Sequence, residues 1–150
     1  MSKITVDIVS LEKRLYKGPV KSITVPTTTG EITILPNHIP LITNLEAGEL
    51  RIKVDEGQGI YSPDTVFVAV SGGFLEVKPG SRVDVIADSA VRVDEIDEGK
   101  AQEARERAEQ IMAAHRRGET QLGNEEYARV AADLARAAAQ IKVARRKRRA

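Results

Sequence analysis

The chain is 150 residues long, with 23 Lys+Arg against 22 Asp+Glu and no cysteine. That length supports one domain with a real core and a small appendage. The balanced charge gives no overall reason to expect nucleic acid or a membrane surface as partner, and the missing cysteine excludes disulfides, thiolate catalysis and Cys-based zinc sites.

Two histidines far apart in sequence argue against any zinc site and leave no metal to expect. No apolar run reaches the roughly 18 residues of a membrane span. MSKITVDIVS lacks a basic region followed by an uncharged apolar stretch, so no signal peptide is expected and a soluble, cytoplasmic protein is the default.

The first half of the chain is written in strand grammar. ITVDIVS (4–10) alternates apolar Ile4, Val6 and Ile8 with polar Thr5 and Asp7, the period-2 pattern of a half-buried strand. VKSITVP (20–26), EITIL (31–35), ELRIKV (49–54), TVFVAV (65–70), FLEVK (74–78) and RVDVIA (82–87) follow. Turn signals separate them: KGP (17–19), TTG (28–30), PNH (36–38), AG (47–48), EGQG (56–59), SPD (62–64), SGG (71–73) and KPG (78–80). Short strands at this spacing predict an antiparallel sandwich or barrel over residues 1–90.

From residue 91 onwards the period changes to 3.6, proline vanishes and alanine dominates. Ile96, Ala101, Ala104, Ala108 and Ile111 or Met112 share one helical face, and Tyr127, Val130, Leu134, Ala137, Ile141 and Ala144 make a second stripe. Asp94 is the expected N-cap of the first helix, Gly118 its C-terminal stop, and Asn124 the N-cap of the second. The short connection predicts an antiparallel helical hairpin over residues 91–150. The fold class is therefore β + α: an antiparallel β-sandwich followed by an α-helical hairpin. Alanine methyls bury little area, so the hairpin alone is marginal and gains from docking on the sandwich or on another protein. A two-helix unit that can leave one surface for another is a switch element.

Four stretches invite a functional reading. His38 stands between Pro36 and Pro40, where it is either a rigid turn residue or part of a partner-facing loop. Catalysis would need an orienting acid and a nucleophile, and neither is recognisable nearby. Ser71-Gly72-Gly73-Phe74 lacks the arrangement of a phosphate loop and precedes a strand, so it reads as a tight turn or bulge. Asp97 and Lys100 read as helix-start charges. The tail from Lys142, with Arg145, Arg146, Lys147, Arg148 and Arg149, suits either an anionic partner or the negative end of a helix. The five aromatics, Tyr16, Tyr61, Phe67, Phe74 and Tyr127, are too few for base-stacking platforms.

GEITILPNHIPLITNLEAGELRI (30–52) and FVAVSGGFLEVKPGSRVDVIADSA (67–90) resemble the two hallmark stretches of the epsilon subunit of bacterial F-type ATP synthases. The order of sandwich and Ala-rich hairpin extends the resemblance over essentially the whole chain. It implies a non-catalytic subunit of the central rotor stalk, needing no cofactor, that couples proton-driven rotation to ATP synthesis. Its sandwich would contact the gamma subunit and the c-ring, with Glu31 and His38 in the partner-facing region. Its helices would either fold on the sandwich or extend along gamma towards the alpha and beta subunits, blocking hydrolysis. It would sit peripherally on the cytoplasmic side of the cell (inner) membrane through the complex.

The resemblance also implies an ATP site on the folded hairpin. IDEGKA (96–101) is similar to the signature of epsilon subunits that bind ATP, which points to Asp97, Lys100 and Ala101, with Arg107 and Arg136 holding phosphates. Lys100 replaces the signature arginine, Gln140 stands where strong binders carry another arginine, and Val91 where they carry an acid. ATP would therefore bind weakly, as a regulatory ligand. The basic tail would pair with acidic patches of alpha and beta in the extended form. The competing expectation is a small β-barrel nucleic-acid module with a basic helical tail.

Overall fold

The computed structural model describes residues 2–149, with the side chains of residues 148 and 149 left out. Eight strands run in the order β1 (Ile4–Ser10), β2 (Arg14–Val20), β3 (Ser22–Thr27), β4 (Gly30–Ile34), β5 (Leu41–Asn44), β6 (Gly48–Lys53), β7 (Thr65–Lys78) and β8 (Arg82–Arg92). A 3₁₀ turn (Val93–Glu95) leads into α1 (Glu98–Arg116), α2 (Asn124–Ala144) and the short α3 (Arg146–Arg149).

Two long strands make the sandwich. The hydrogen-bonded path is β2-β1-β8-β7-β6-β3-β4, with β5 on β7. The first part of β7 pairs with β6 over Thr65–Val70, and the last part pairs with β5 over Phe74–Val77. One layer thus holds β4, β3, β6 and the start of β7; the other holds β2, β1, β5 and the end of β7. β8 follows β7 through both, in one register from Val68↔Arg92 to Lys78↔Arg82. The bend falls at Gly72 and Gly73, both at positive φ (69° and 105°). A Cβ on Gly73 would lie hard against the Ile86 carbonyl oxygen and the Ala87 Cα, so only glycine lets the two backbones cross this closely. SGG is neither a turn between two strands nor a register shift, but the crease of a single strand.

The alternation in the sequence points one face of each strand inwards. Ile4, Val6, Ile8, Ile23, Val25, Ile34, Leu50, Ile52, Val68, Leu75, Val77, Val83 and Val85 form one buried cluster between the layers. At about 25 cal/mol per Å² of apolar surface, this aliphatic core is the main source of stability. It contains no helical residue.

Four expectations need correction. KGP (17–19) is not a turn: it lies inside β2, where Thr5 faces Pro19 and Val6 faces Gly18. β2 is the edge of the sheet, where a missing N–H costs no ladder bond. The sheet is also not wholly antiparallel, because β1 runs parallel to β8 from Thr5↔Arg82 to Ser10↔Ala87. Lastly, Asp94 does not cap α1. It sits in the 3₁₀ turn beside Arg92, and Asp97 is the cap, its Oδ1 accepting the Lys100 N–H at 3.1 Å. Likewise Gly123, not Asn124, precedes α2, since Asn124 is already helical.

Gly118 does stop α1. It has φ 75°, its N–H donates to the His115 carbonyl at 3.1 Å, and the Glu119 N–H reaches back to Ala114 at 3.0 Å. That pair of bonds is a Schellman ending, which needs the left-handed residue glycine adopts freely.

α2 is buried most along its C-terminal half. Ala137, Ala139, Ile141, Val143 and Ala144 are buried, whereas Tyr127 near its start is 37% exposed. The single stripe read from the sequence is two faces here. One closes against α1. The other, with Val143 and Ala144, packs on Phe67 and Ala69 of β7 together with Val93 and Ile96. This explains why Thr65–Val70 is buried at every position: Val66, Val68 and Val70 face the sandwich core, while Phe67 and Ala69 face the hairpin.

Candidate functional site

Three places carry the candidate residues. The first is the turn after β4. Asn37 is held at φ 66°, and its N–H donates to Ser81 Oγ at 2.9 Å, tying this turn to the β7–β8 hairpin. His38 donates its own N–H to the Leu35 carbonyl at 3.2 Å, and its Nδ1 lies 2.6 Å from the Ile39 carbonyl oxygen. Among the described residues the ring's one bonded partner is that carbonyl, not a nucleophile. Around it Leu35, Ile39 and Ile42 are 57%, 75% and 69% exposed. Clustered large apolar side chains in water mark contact surfaces.

Glu31 is not in that turn. It lies at the other end of β4, opposite Pro26, and Arg51 donates to both of its carboxylate oxygens at 2.9 and 3.2 Å. β4 thus separates the two residues that the sequence suggested as one contact region.

The second place is the groove between α1 and α2. A cleft of about 370 Å³ is lined by Lys100, Ala101, Ala104, Arg107, Ala108, Ile111, Val130, Asp133, Arg136, Ala137 and Gln140. This is within the roughly 300–1,000 Å³ of small-molecule sites. Lys100, Ala101, Arg107 and Arg136 come together as the sequence suggested. Asp97 does not line the cleft, because its carboxylate is spent on the helix cap. Asp133 was not foreseen: it accepts from Arg136 Nη2 at 3.0 Å, one turn away on α2, and fixes that guanidinium at the cleft. The alanines make the groove, since methyl-sized side chains leave room that leucines would fill.

The third place is where the tail meets the sandwich. Glu49 on β6 is a fully buried acid with its side chain 0% exposed. Arg146 donates to both of its oxygens, Nε at 3.0 Å and Nη2 at 2.8 Å, and Arg51 Nη1 adds a third bond at 3.2 Å. Burial pushes the Glu49 carboxyl up, but the bonds and charge of Arg146, then Arg51, outweigh it and hold it below the usual glutamate value. The Arg146 guanidinium also lies 4.6 Å above the Phe67 ring. Lys147 donates to the Ile96 carbonyl at 2.7 Å, where the chain leaves the sandwich for α1.

The tail, expected as one basic run, is therefore divided. Arg146 and Lys147 are engaged with the sandwich and the linker, Lys142 and Arg145 are exposed, and the side chains of Arg148 and Arg149 lie outside the described residues. Glu49, Arg51 and Phe67 had no functional signal in the sequence beyond their place on the outer face of an alternating strand. Among the described residues no group of three or more metal-ligating side chains converges, and no helix is long and apolar enough to cross a membrane.

A β-sandwich with a folded-back pair of helices on one outer face, and a groove between those helices, defines a two-part module. The chain belongs to the ATP synthase delta/epsilon chain family: the model of the family's beta-sandwich domain matches residues 3–93, and that of its long alpha-helix domain residues 94–145. It is 41% identical over 149 residues to the ATP synthase epsilon chain 2 of Ralstonia nicotianae, covering 99% of this chain and 98% of that protein. It is also 41% identical over 149 residues to the ATP synthase epsilon chain of Alkalilimnicola ehrlichii, with 99% and 97% covered. Among solved structures, a chain of the Euglena gracilis mitochondrial ATP synthase OSCP/F1/c-ring assembly superposes with a TM-score of 0.70 at 24% identity, covering 95% of this chain and 81% of that one. At that identity the likeness speaks for the fold.

Proposed function

We propose that this chain is the epsilon subunit of a bacterial F-type ATP synthase, a non-catalytic part of the central stalk. In that role its sandwich contacts the gamma subunit and the c-ring at the cytoplasmic side of the cell membrane, and its helices restrain ATP hydrolysis by the alpha/beta hexamer. The observation that carries this reading is the 41% identity to epsilon chains over both halves of the molecule, from end to end. The exposed Leu35, Ile39 and Ile42 around His38 supply a contact surface of the kind a stalk partner would cover.

ATP is a weak regulatory ligand of the groove between α1 and α2. Lys100, Arg107 and Arg136 supply three cations to a cleft whose other walls are alanines, Ile111, Val130, Gln140 and the Asp133 that pairs with Arg136. Lys100 offers a point charge rather than a planar fork, which keeps the affinity low.

The test is isolation of a tagged chain from membranes. Co-purification of alpha, beta, gamma and c subunits, with hydrolysis rising when residues 94–150 are deleted, is the expected result. Recovery without those subunits, together with salt-sensitive retention on nucleic acid, would overturn it in favour of a nucleic-acid module.

A further inference from the structure

We propose that Glu49 and Arg146 form an ionic latch that selects and holds the docked position of the hairpin, keeping Arg146 from any other partner while it is closed. The need for such a device lies in the interface itself. α2 docks through Val143 and Ala144 on Phe67 and Ala69. The side chains that α2 itself brings, Val143 and Ala144, are small and shallow, and such side chains give contact without register, because a helix can slide or rotate on them at little cost. A buried charge pair has one satisfying geometry, and fixing register is the best-attested use of such pairs.

Glu49 meets those demands. Its side chain is 0% exposed, and its bonds come from one cation of its own layer, Arg51, and one from a segment 97 residues away. Arg51 is already committed to Glu31 through both terminal nitrogens, so it gives Glu49 only one bond, at 3.2 Å. Arg146 supplies the two-pronged contact at 3.0 and 2.8 Å. The break in the helix at Arg145, between α2 and α3, brings residue 146 round to the sheet. Lys147 then pins the same turn to the Ile96 carbonyl. Withdrawing Arg146 while the helix stays docked would leave a desolvated carboxylate under-satisfied, so docking and pairing occur together.

For the complex, the consequence rests on the function proposed above. The guanidinium that closes the latch belongs to the basic tail that would meet acidic surfaces of alpha and beta. Arg146 cannot serve both, so the latch opposes the inhibitory arrangement.

The chain has no cysteine, so nitroxide labels on Lys17→Cys and Lys142→Cys report the distance between sandwich and α2 in the isolated full-length protein. One narrow distance is expected for the parent. Arg146→Gln and Glu49→Gln should each raise the ratio of undocked to docked molecules on the order of tenfold or more. Arg146→Lys should fall between, and the double variant should be no worse than either single one. Amide exchange of the sandwich strands identifies any variant that has lost its fold. Unchanged distances in both single variants, or single effects that merely add in the double variant, would overturn the latch. Because the readout needs no ATP synthase, its failure is distinct from failure of the proposed subunit role, which the membrane isolation reports.

Discussion

Arg51 gives Glu31 both of its terminal nitrogens, at 2.9 and 3.2 Å, and extends one of them to Glu49 at 3.2 Å. A half-exposed acid at the sandwich surface and a buried acid under the hairpin thus share one cation. With Arg146 they form a line of alternating charge, Glu31–Arg51–Glu49–Arg146, from the edge of β4 to the chain's last turn. Its members were chosen by the sheet: Glu49 and Arg51 are the outward positions of a strand whose inward ones are Leu50 and Ile52.

Acid should undock the hairpin. The Glu49 carboxyl is held below its ordinary value of 4.5 in the docked state. A lowered pKa stabilises docking above that ordinary value, and the contribution declines as pH falls below it and disappears once pH has passed the lowered value. Amide exchange along Ala137–Ala144 should therefore rise below about pH 4.5, ahead of the strands of the sandwich core. Equal loss of protection in both halves would count against this order.

Lys100→Arg should tighten ATP binding to the isolated chain by about tenfold, the gain from one further charge-assisted hydrogen bond of roughly 1.4 kcal/mol. Lys100 lines the cleft with Arg107 and Arg136, and a planar fork there can grip two phosphate oxygens at once. Isothermal titration decides it. Equal heats for parent and variant would place the nucleotide elsewhere.

Gly73→Ala should cost about 2–3 kcal/mol and lower the melting temperature by roughly 5–10 °C. The residue combines φ 105° with an Ile86 carbonyl oxygen lying where the new methyl would go. Differential scanning calorimetry reads the change directly.

Asp97→Ala removes the cap of α1, where the carboxylate accepts the Lys100 N–H at 3.1 Å. The expected loss is about 1 kcal/mol. It should appear as faster amide exchange over the first turn of α1, with Asp97→Asn largely restoring protection.

The strands that the sequence did mark were legible because each follows one rule, alternate residues inward, and Ile4, Val6 and Ile8 obey it without exception; the four-residue β5 (Leu41–Asn44) is too short to show it. β2 was hidden by its Gly-Pro pair, which signals a turn unless the strand is known to be an edge. The Gly72–Gly73 crease was ambiguous for a related reason: glycine marks both the end of a strand and its sharpest bend. Four of the five residues suggested for a nucleotide came together at the cleft, since helical spacing places them on facing sides of one hairpin. Asp97 went instead to the helix end, where a local bond to an amide three residues ahead was available. The latch was invisible in principle. Nothing within β6 tells that Glu49 is covered, because its cover comes from a residue 97 positions later.

β7 gives the molecule a mechanical property. Its 14 residues are bonded to β6 and β8 in one layer and to β5 and β8 in the other, and its Phe67 forms part of the floor on which α2 rests. A push on the β5 side therefore reaches the hairpin's seat along a covalent strand, which resists stretching far more than packed side chains resist sliding. Gly72 and Gly73, both at positive φ, form the bend in that rod. The two layers are joined as arms on a single shaft, so a displacement of one end of β7 is carried by the chain itself to the floor beneath the hairpin.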